Sequence, residues 1–196
     1  FFVIINAVLF IITTWFLNPL CFFLSPVALF VVIGYSFTKR FTYLSHVFLG
    51  MGLALAPIGA YLAVTGKFAV VPLLFSFCVL FWVSGFDIIY ALQDIEFDTS
   101  QNLKSLPVRM GAKNALLLSS LFHLISIFLI CTAGFIWPFH TFYWIGCAIF
   151  TALIIYQHTI VKPGDLRRVN LAFFTLNGIA SLVYAAFVIS DLYFKI

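Results

Sequence analysis

Residues 87–113 read DIIYALQDIEFDTSQNLKSLPVRMGAK and hold four of the six carboxylates in the chain: Asp87, Asp94, Glu96 and Asp98. On a helix of about 100° per residue, Asp87, Asp94 and Asp98 fall within about 40° of one another, and Glu96 points the opposite way. Like charges on one stripe repel unless cations sit among them. The stripe therefore asks for a metal ion, for Lys or Arg partners, or for both.

The sequence on either side is apolar. Of 196 residues, 64% are hydrophobic and 8% charged, with 26 Phe. A water-soluble domain carries roughly 25% charged residues, so an ordinary soluble fold is excluded. Apolar runs of about 20 residues read as transmembrane helices. Seven such spans are expected, near 1–17, 20–37, 45–65, 70–86, 112–134, 138–160 and 169–192. The turn chemistry between them includes Asn18-Pro19, Thr65-Gly66-Lys67, Trp137-Pro138 and Lys162-Pro163-Gly164-Asp165. The expected fold is an all-α polytopic membrane bundle, one domain over 1–196, with sequential helices as antiparallel neighbours. Cys21, Cys78, Cys131 and Cys147 lie singly in apolar runs and read as packing residues. The start, FFVIINAVLFIITTW, has no basic n-region, no cleavage site and no initiator Met, so a fragment of a longer chain, or a processed one, is expected.

Alternating spans sort the loops onto two sides. One side receives Lys39, Arg40, Lys104, Arg109, Lys113, Lys162, Arg167 and Arg168, which is eight of the ten Lys and Arg; Lys67 and Lys195 fall on the other. The positive-inside rule makes the crowded side cytoplasmic. Five of the six acids share it, Asp191 being the exception. The net charge of +4 therefore reports topology and gives no reason to expect a nucleic-acid partner.

On that face, Asp94 and Asp98 are about 6 Å apart along a helix axis and could share a divalent ion, whereas Asp87 would be about 16 Å from Asp98 on a straight helix. Carboxylates without Cys or His favour a hard cation such as Mg²⁺, which completes its shell with water and substrate phosphates. The same spacing also suits a solvated cap of acids paired with Lys104, Arg109 and neighbouring loops. Lys39, Arg40 and Lys104 come from separate loops and are placed to converge on a diphosphate, or to anchor helix ends. Tyr35 would face Lys39 on a helix, and Tyr90 lies three residues after Asp87; each reads as a phosphate donor or as part of an interfacial aromatic belt. Asn6, His123, Gln157 and Asn177 are polar groups at depth, for which hydrogen bonding between helices is expected. Asn177-Gly178 would let helices approach closely or line a pocket.

The run DIIYALQDIEFDTSQNLKSLPVRMG (87–111) closely resembles the second Asp-rich motif of the UbiA superfamily of intramembrane aromatic prenyltransferases, D-x-x-Y-A-x-x-D-x-x-x-D followed by I/L-K-S. The segment YSFTKRFTYLSHVFLGMGLALAPIGAYLAVTG from Tyr35 resembles the family's Y-x-x-x-K region, and KPGDLRRVNLAFFTLNG (162–178) is similar to the branch of 4-hydroxybenzoate polyprenyltransferases and their menaquinone-pathway relatives. The likeness covers essentially the whole chain in order. It implies a nine-helix bundle, here with about seven helices present, whose two Asp-rich motifs hold Mg²⁺ on an isoprenoid diphosphate. By resemblance, Asp87, Asp94 and Asp98 are metal ligands and belong to the catalytic set with Lys39 and Lys104, while Tyr35, Arg40, Tyr90 and Asn177 contact substrate. The implied partners are a polyprenyl diphosphate, an aromatic acceptor and the lipid bilayer. The implied location is a bacterial inner membrane, with the site facing the cytoplasm.

One departure is large. The family's first motif, N-D-x-x-D-x-x-x-D, is absent, and no Asn-Asp pair occurs anywhere in the chain. The expectation is that the first two helices lie outside this sequence and that the isolated chain is inactive. The expected reaction is polyprenyl transfer to an aromatic acid such as 4-hydroxybenzoate in quinone biosynthesis. The alternatives are another branch of the family with a naphthoate, homogentisate or porphyrin acceptor, a seven-helix transporter, or a non-catalytic assembly subunit.

Overall fold

The computed structural model describes residues 1–194, so Lys195 lies outside the described residues. The helices are α1 (Phe2–Leu17), α2 (Pro19–Gly34), α3 (Ser45–Thr65), α4 (Val70–Ala91), α5 (Ile95–Ser100), α6 (Leu106–Ile136), α7 (Thr141–Ile160) and α8 (Asn177–Phe194). Tight 3₁₀ turns follow α2 (Tyr35–Arg40) and α4 (Leu92–Asp94), and a π-helical turn (Leu171–Leu176) leads into α8.

Six helical stretches are long and apolar enough to cross a membrane: Pro19–Arg40, Ser45–Thr65, Val70–Ser100, Leu106–Ile136, Thr141–Ile160 and Leu171–Phe194. The first expected span differs. Helix α1 is apolar but has 16 residues, below the roughly 20 that span hydrocarbon. Asn18 stops it in extended backbone and starts α2, its side chain accepting the Cys21 N–H at 3.0 Å with Pro19 at the first helical position. The same Asn18 amide donates to the Leu62 carbonyl at 2.8 Å, tying this corner to the end of α3. There Gly66, at φ +64°, closes α3 in the left-handed conformation glycine tolerates.

Helix α4 is central, packed between α3 and α6, and α7 pairs with α8. The α3–α4 contact is close because residue 50 is Gly: a Cβ there would overlap the Leu80 carbonyl oxygen and Ser84 Oγ. Helix α6 begins with one turn, kinks at Gly111 (φ +76°, ψ +161°) and then runs on through Ile136, so the membrane-crossing part starts where the apolar run predicts.

Large apolar side chains such as Phe16, Phe30 and Phe135 face outward, while Ser25, Ser76, Ser84, Ser119, Ser126 and Cys78 are buried. This distribution suits lipid as solvent, where small residues permit close helix approach and hydroxyls bond across it. Ser119 Oγ donates to the Gly85 carbonyl of α4 at 2.7 Å, and Ser126 Oγ to Cys78 O at 3.1 Å. All four cysteines are free, and three are buried.

Asp191 is buried on α8 and accepts the N–H groups of His140 (2.8 Å) and Tyr143 (2.9 Å), capping the start of α7. It is thus a structural carboxylate, remote in sequence from the acidic stretch. A separate apolar core joins Ile88, Ile89, Leu92, Leu106, Val161 and Val169. That core gathers the end of α4 and the segments after it with the connection between α7 and α8, so these loops meet at one end of the bundle.

Candidate active site

The three aspartates do not share one helical stripe. Helix α4 stops at Ala91, where the Leu92 N–H turns back to the Ile89 carbonyl, and the chain passes through the 3₁₀ turn before α5 begins at Ile95. Leu92 is buried in the core just described, and the tighter turn lets it stay there while the acidic residues redirect. Asp87 remains on α4, Asp94 ends the turn, Asp98 lies within α5, and Glu96 is exposed. The expectation of a single straight stripe is corrected on this point.

Asp94 and Asp98 are brought together by Lys39. Its ammonium donates to Asp98 Oδ1 at 3.2 Å and Oδ2 at 3.1 Å and stands 3.9 Å from Asp94 Oδ2. Asp98 is 1% exposed, Lys39 34% and Asp94 41%. A buried carboxylate held by a half-exposed cation, with a second carboxylate open beside it, is an ion-binding arrangement with one side to solvent. Lys39 is presented by the 3₁₀ turn at Tyr35–Arg40, which is braced by the Thr38 hydroxyl donating to the Tyr35 carbonyl at 2.6 Å.

Lys104 joins the same corner through its backbone: its N–H donates to the Lys39 carbonyl at 2.7 Å, and the Leu103 N–H to the Asp98 carbonyl at 2.8 Å. Its ammonium donates to the Phe41 carbonyl at 3.2 Å and lies 5.9 Å from the centre of the Tyr43 ring, which Arg109 also faces. Lys104 therefore stands beside the carboxylates and makes no ion pair with them.

Asp87 has a different partner. Its Oδ2 lies 2.7 Å from Nδ1 of His46, a buried residue in the first turn of α3. Tyr35 is partly buried at the start of the turn that carries Lys39. Arg40 is exposed and forms no ion pair among the described residues. Tyr90 tilts against Phe173 at 4.3 Å and meets Phe174 edge-on at 6.0 Å. From Phe173 the aromatic contacts continue through Phe86 (5.3 Å) and Trp82 (5.5 Å) to Phe150 (5.2 Å).

Asn177 is buried, with Oδ1 accepting from Trp82 Nε1 at 3.2 Å and Nδ2 donating to the Ala172 and Phe173 carbonyls. Its hydrogen bonds close the π-helical turn, a structural use. The basic loop after α7 is also spoken for locally: Arg167 donates to Asp165 through Nε (2.9 Å), a terminal nitrogen (2.7 Å) and its backbone N–H (3.2 Å). These bonds hold the Asp165 carboxyl well below the usual carboxylate range.

His46 is the residue that sequence reasoning missed. It stands 41 positions from Asp87, so no helical periodicity links them. Its only signal is a histidine in the first turn of an apolar span, seven residues after Lys39.

Oxygen donors without thiolates suit a hard divalent cation. Lys39 shows that one cation can be approached by Asp94 and Asp98 together, whereas Asp87 points to His46; among the described residues no three His, Cys, Asp or Glu side chains converge. The pair therefore fits Mg²⁺ as two ligands of a shell that requires further oxygen atoms.

A polytopic helical membrane protein with an acidic, lysine-bridged site at one end of its bundle is the class these features define. The chain matches the UbiA prenyltransferase family over residues 1–179 and belongs to that family. It is 28% identical over 181 residues to the 4-hydroxybenzoate octaprenyltransferase of Pasteurella multocida (strain Pm70), covering 92% of this chain and 62% of that protein. It is 29% identical over 174 residues to the enzyme of the same name from Francisella tularensis subsp. novicida (strain U112), covering 89% and 61%. The apo structure of a UbiA homolog from Aeropyrum pernix K1 superposes with a TM-score of 0.84 at 28% identity, covering 95% of this chain and 69% of that one. The chain thus spans about three-fifths of the length of these curated relatives.

Proposed function

We propose that the protein is an Mg²⁺-dependent prenyltransferase that moves a polyprenyl group from its allylic diphosphate to an aromatic acid such as 4-hydroxybenzoate, in quinone biosynthesis. The observation that carries this reading is the Lys39 ammonium between Asp94 and Asp98 at one end of an apolar bundle. Family membership and the relatives named above support it.

Asp94 and Asp98 would hold the cation, with Asp87 reaching it through the diphosphate or water. When bound, Mg²⁺ supplies Lewis-acid neutralisation of the diphosphate. Lys39 and Lys104 contribute positive charge where the leaving group gathers negative charge, an electrostatic contribution that grows as the C–O bond lengthens. That bond breaks with its electron pair going to diphosphate. A carbon of the electron-rich ring then bonds to the allylic carbon, and loss of the ring proton restores aromaticity. The aromatic series from Tyr90 through Phe173, Phe86 and Trp82 to Phe150 provides apolar, electron-rich surface beside this chemistry, excluding water from the allylic cation. Tyr35 and Arg40 lie on the same turn as Lys39 and serve as further diphosphate donors. With eight of ten Lys and Arg on this side by alternation of spans, the site faces the cytoplasm of a bacterial inner membrane.

The test is an assay in native membranes with Mg²⁺, a polyprenyl diphosphate and a panel of aromatic acids. Prenylated hydroxybenzoate is expected. It should vanish on chelation and return with added Mg²⁺. No prenylated product from any benzoate would remove the acceptor assignment.

A further inference from the structure

We infer that His46 is a positioning residue for Asp87, fixing one carboxylate oxygen so that the other is presented to the cation–diphosphate ligand. The inference rests on reading Asp87 as part of the diphosphate site. Asp94 and Asp98 share Lys39, but Asp87 has neither Lys nor Arg within ion-pair distance among the described residues; its partner is His46. A carboxylate serving a cation accepts hydrogen bonds, so in this reading His46 Nδ1 is the donor in the 2.7 Å contact. Asp87 Oδ2 is thereby engaged, while Oδ1 makes no hydrogen bond among the described residues.

The imidazole is itself held. His46 is 1% exposed, and the Ser84 hydroxyl of α4, one turn before Asp87, lies 3.2 Å from its carbonyl while donating at 2.7 Å to the Leu80 carbonyl. Gly50, one turn further along α3, removes the Cβ that would force the two helices apart. Donor and acceptor are therefore carried on two closely packed helices, α3 and α4. The imidazole orients Asp87 through a single directed hydrogen bond to one carboxylate oxygen. That is the difference from Lys39, whose ammonium must give way or turn toward the diphosphate when a metal arrives. Hydrogen-bond partners of metal-binding side chains characteristically tune affinity by about 10- to 100-fold.

The experiment compares His46→Phe, which keeps ring volume without the donor, with His46→Asn, whose amide N–H stands at the Nδ1 position. Each is also made in an Asp87→Asn background. Mn²⁺ binding in the presence of inorganic diphosphate is read by electron paramagnetic resonance on the protein purified from native membranes, alongside the Mg²⁺ concentration for half-maximal turnover in those membranes. His46→Phe should weaken Mn²⁺ binding by about 10- to 100-fold, with the KM for the aromatic acceptor within about twofold. His46→Asn should recover most of the loss, and His46→Phe should have no further effect once Asp87 is Asn. Should the Phe variant fail to fold, His46→Leu makes the same comparison. Unchanged Mn²⁺ binding in the donor-free variant, while Asp87→Asn weakens it, overturns the positioning role alone. Unchanged binding in Asp87→Asn removes Asp87 from the site, and this inference with it.

Discussion

Lys39→Met isolates the ion pair at the centre of the site. Asp98 is almost wholly buried, and Lys39 is the charged group that contacts it, at 3.1 and 3.2 Å. Removing one member of a fully buried pair costs about 3–5 kcal/mol, because the other charge is left without compensation. Lys39 is one-third exposed, so water reaches its side of the pair and the loss should fall to about 2 kcal/mol. Lys39→Met/Asp98→Asn removes both charges and should lose less than Lys39→Met alone, giving a coupling of about 1–2 kcal/mol. The measurement is equilibrium unfolding of the detergent-solubilised protein for the wild type, both single variants and the double variant, with prenyl transfer assayed in parallel in native membranes. Transfer should fall by about 100-fold or more in Lys39→Met and stay low in the double variant despite its regained stability. Additive losses within about 0.5 kcal/mol would refute the ion pair as the element that organises this end of the bundle.

Asp94→Asn changes a half-exposed carboxylate, so it should leave unfolding within about 0.5 kcal/mol of wild type while abolishing Mg²⁺-dependent transfer; near-normal turnover would remove Asp94 from the metal site. Asp191→Ala should cost about 1–2 kcal/mol through loss of the cap on α7, visible in the unfolding curve, with the Mg²⁺ requirement unchanged. The Asp165–Arg167 contact gives a pH prediction. Because the folded carboxyl is held below its unfolded value of about 3.9, its contribution is present above that pH and is lost as pH falls through the folded value. Protection of the Arg167 amide against hydrogen exchange should therefore be flat from pH 8 to pH 5 and fall only in strong acid, whereas Asp165→Asn should lower it throughout.

Composition and spacing by themselves determined the helical membrane class, the breaks at Asn18-Pro19 and Gly66, and the set of loops in which charge collects. These features follow from local chemistry: lipid requires long apolar helices with internally satisfied backbones, and Pro, Asn and left-handed Gly end them. Lys39, Asp94 and Asp98 were legible because their motif spacing and their shared membrane face pointed to one another. The direction in which Asp87 points was not. A straight helix puts it on the same stripe as Asp94 and Asp98, but the 3₁₀ turn at Leu92–Asp94 interrupts the α-helix, and the three aspartates divide between Lys39 and His46. Asn177 was visible as a polar residue at depth, and only packing showed its amide occupied by Trp82 and the π-helical turn. The His46–Asp87 contact joins residues 41 positions apart on two helices whose register is set by Gly50 meeting the Leu80 carbonyl. Periodicity acts within a helix, whereas this pairing depends on how two helices are rotated and shifted against each other, which only the tertiary structure decides.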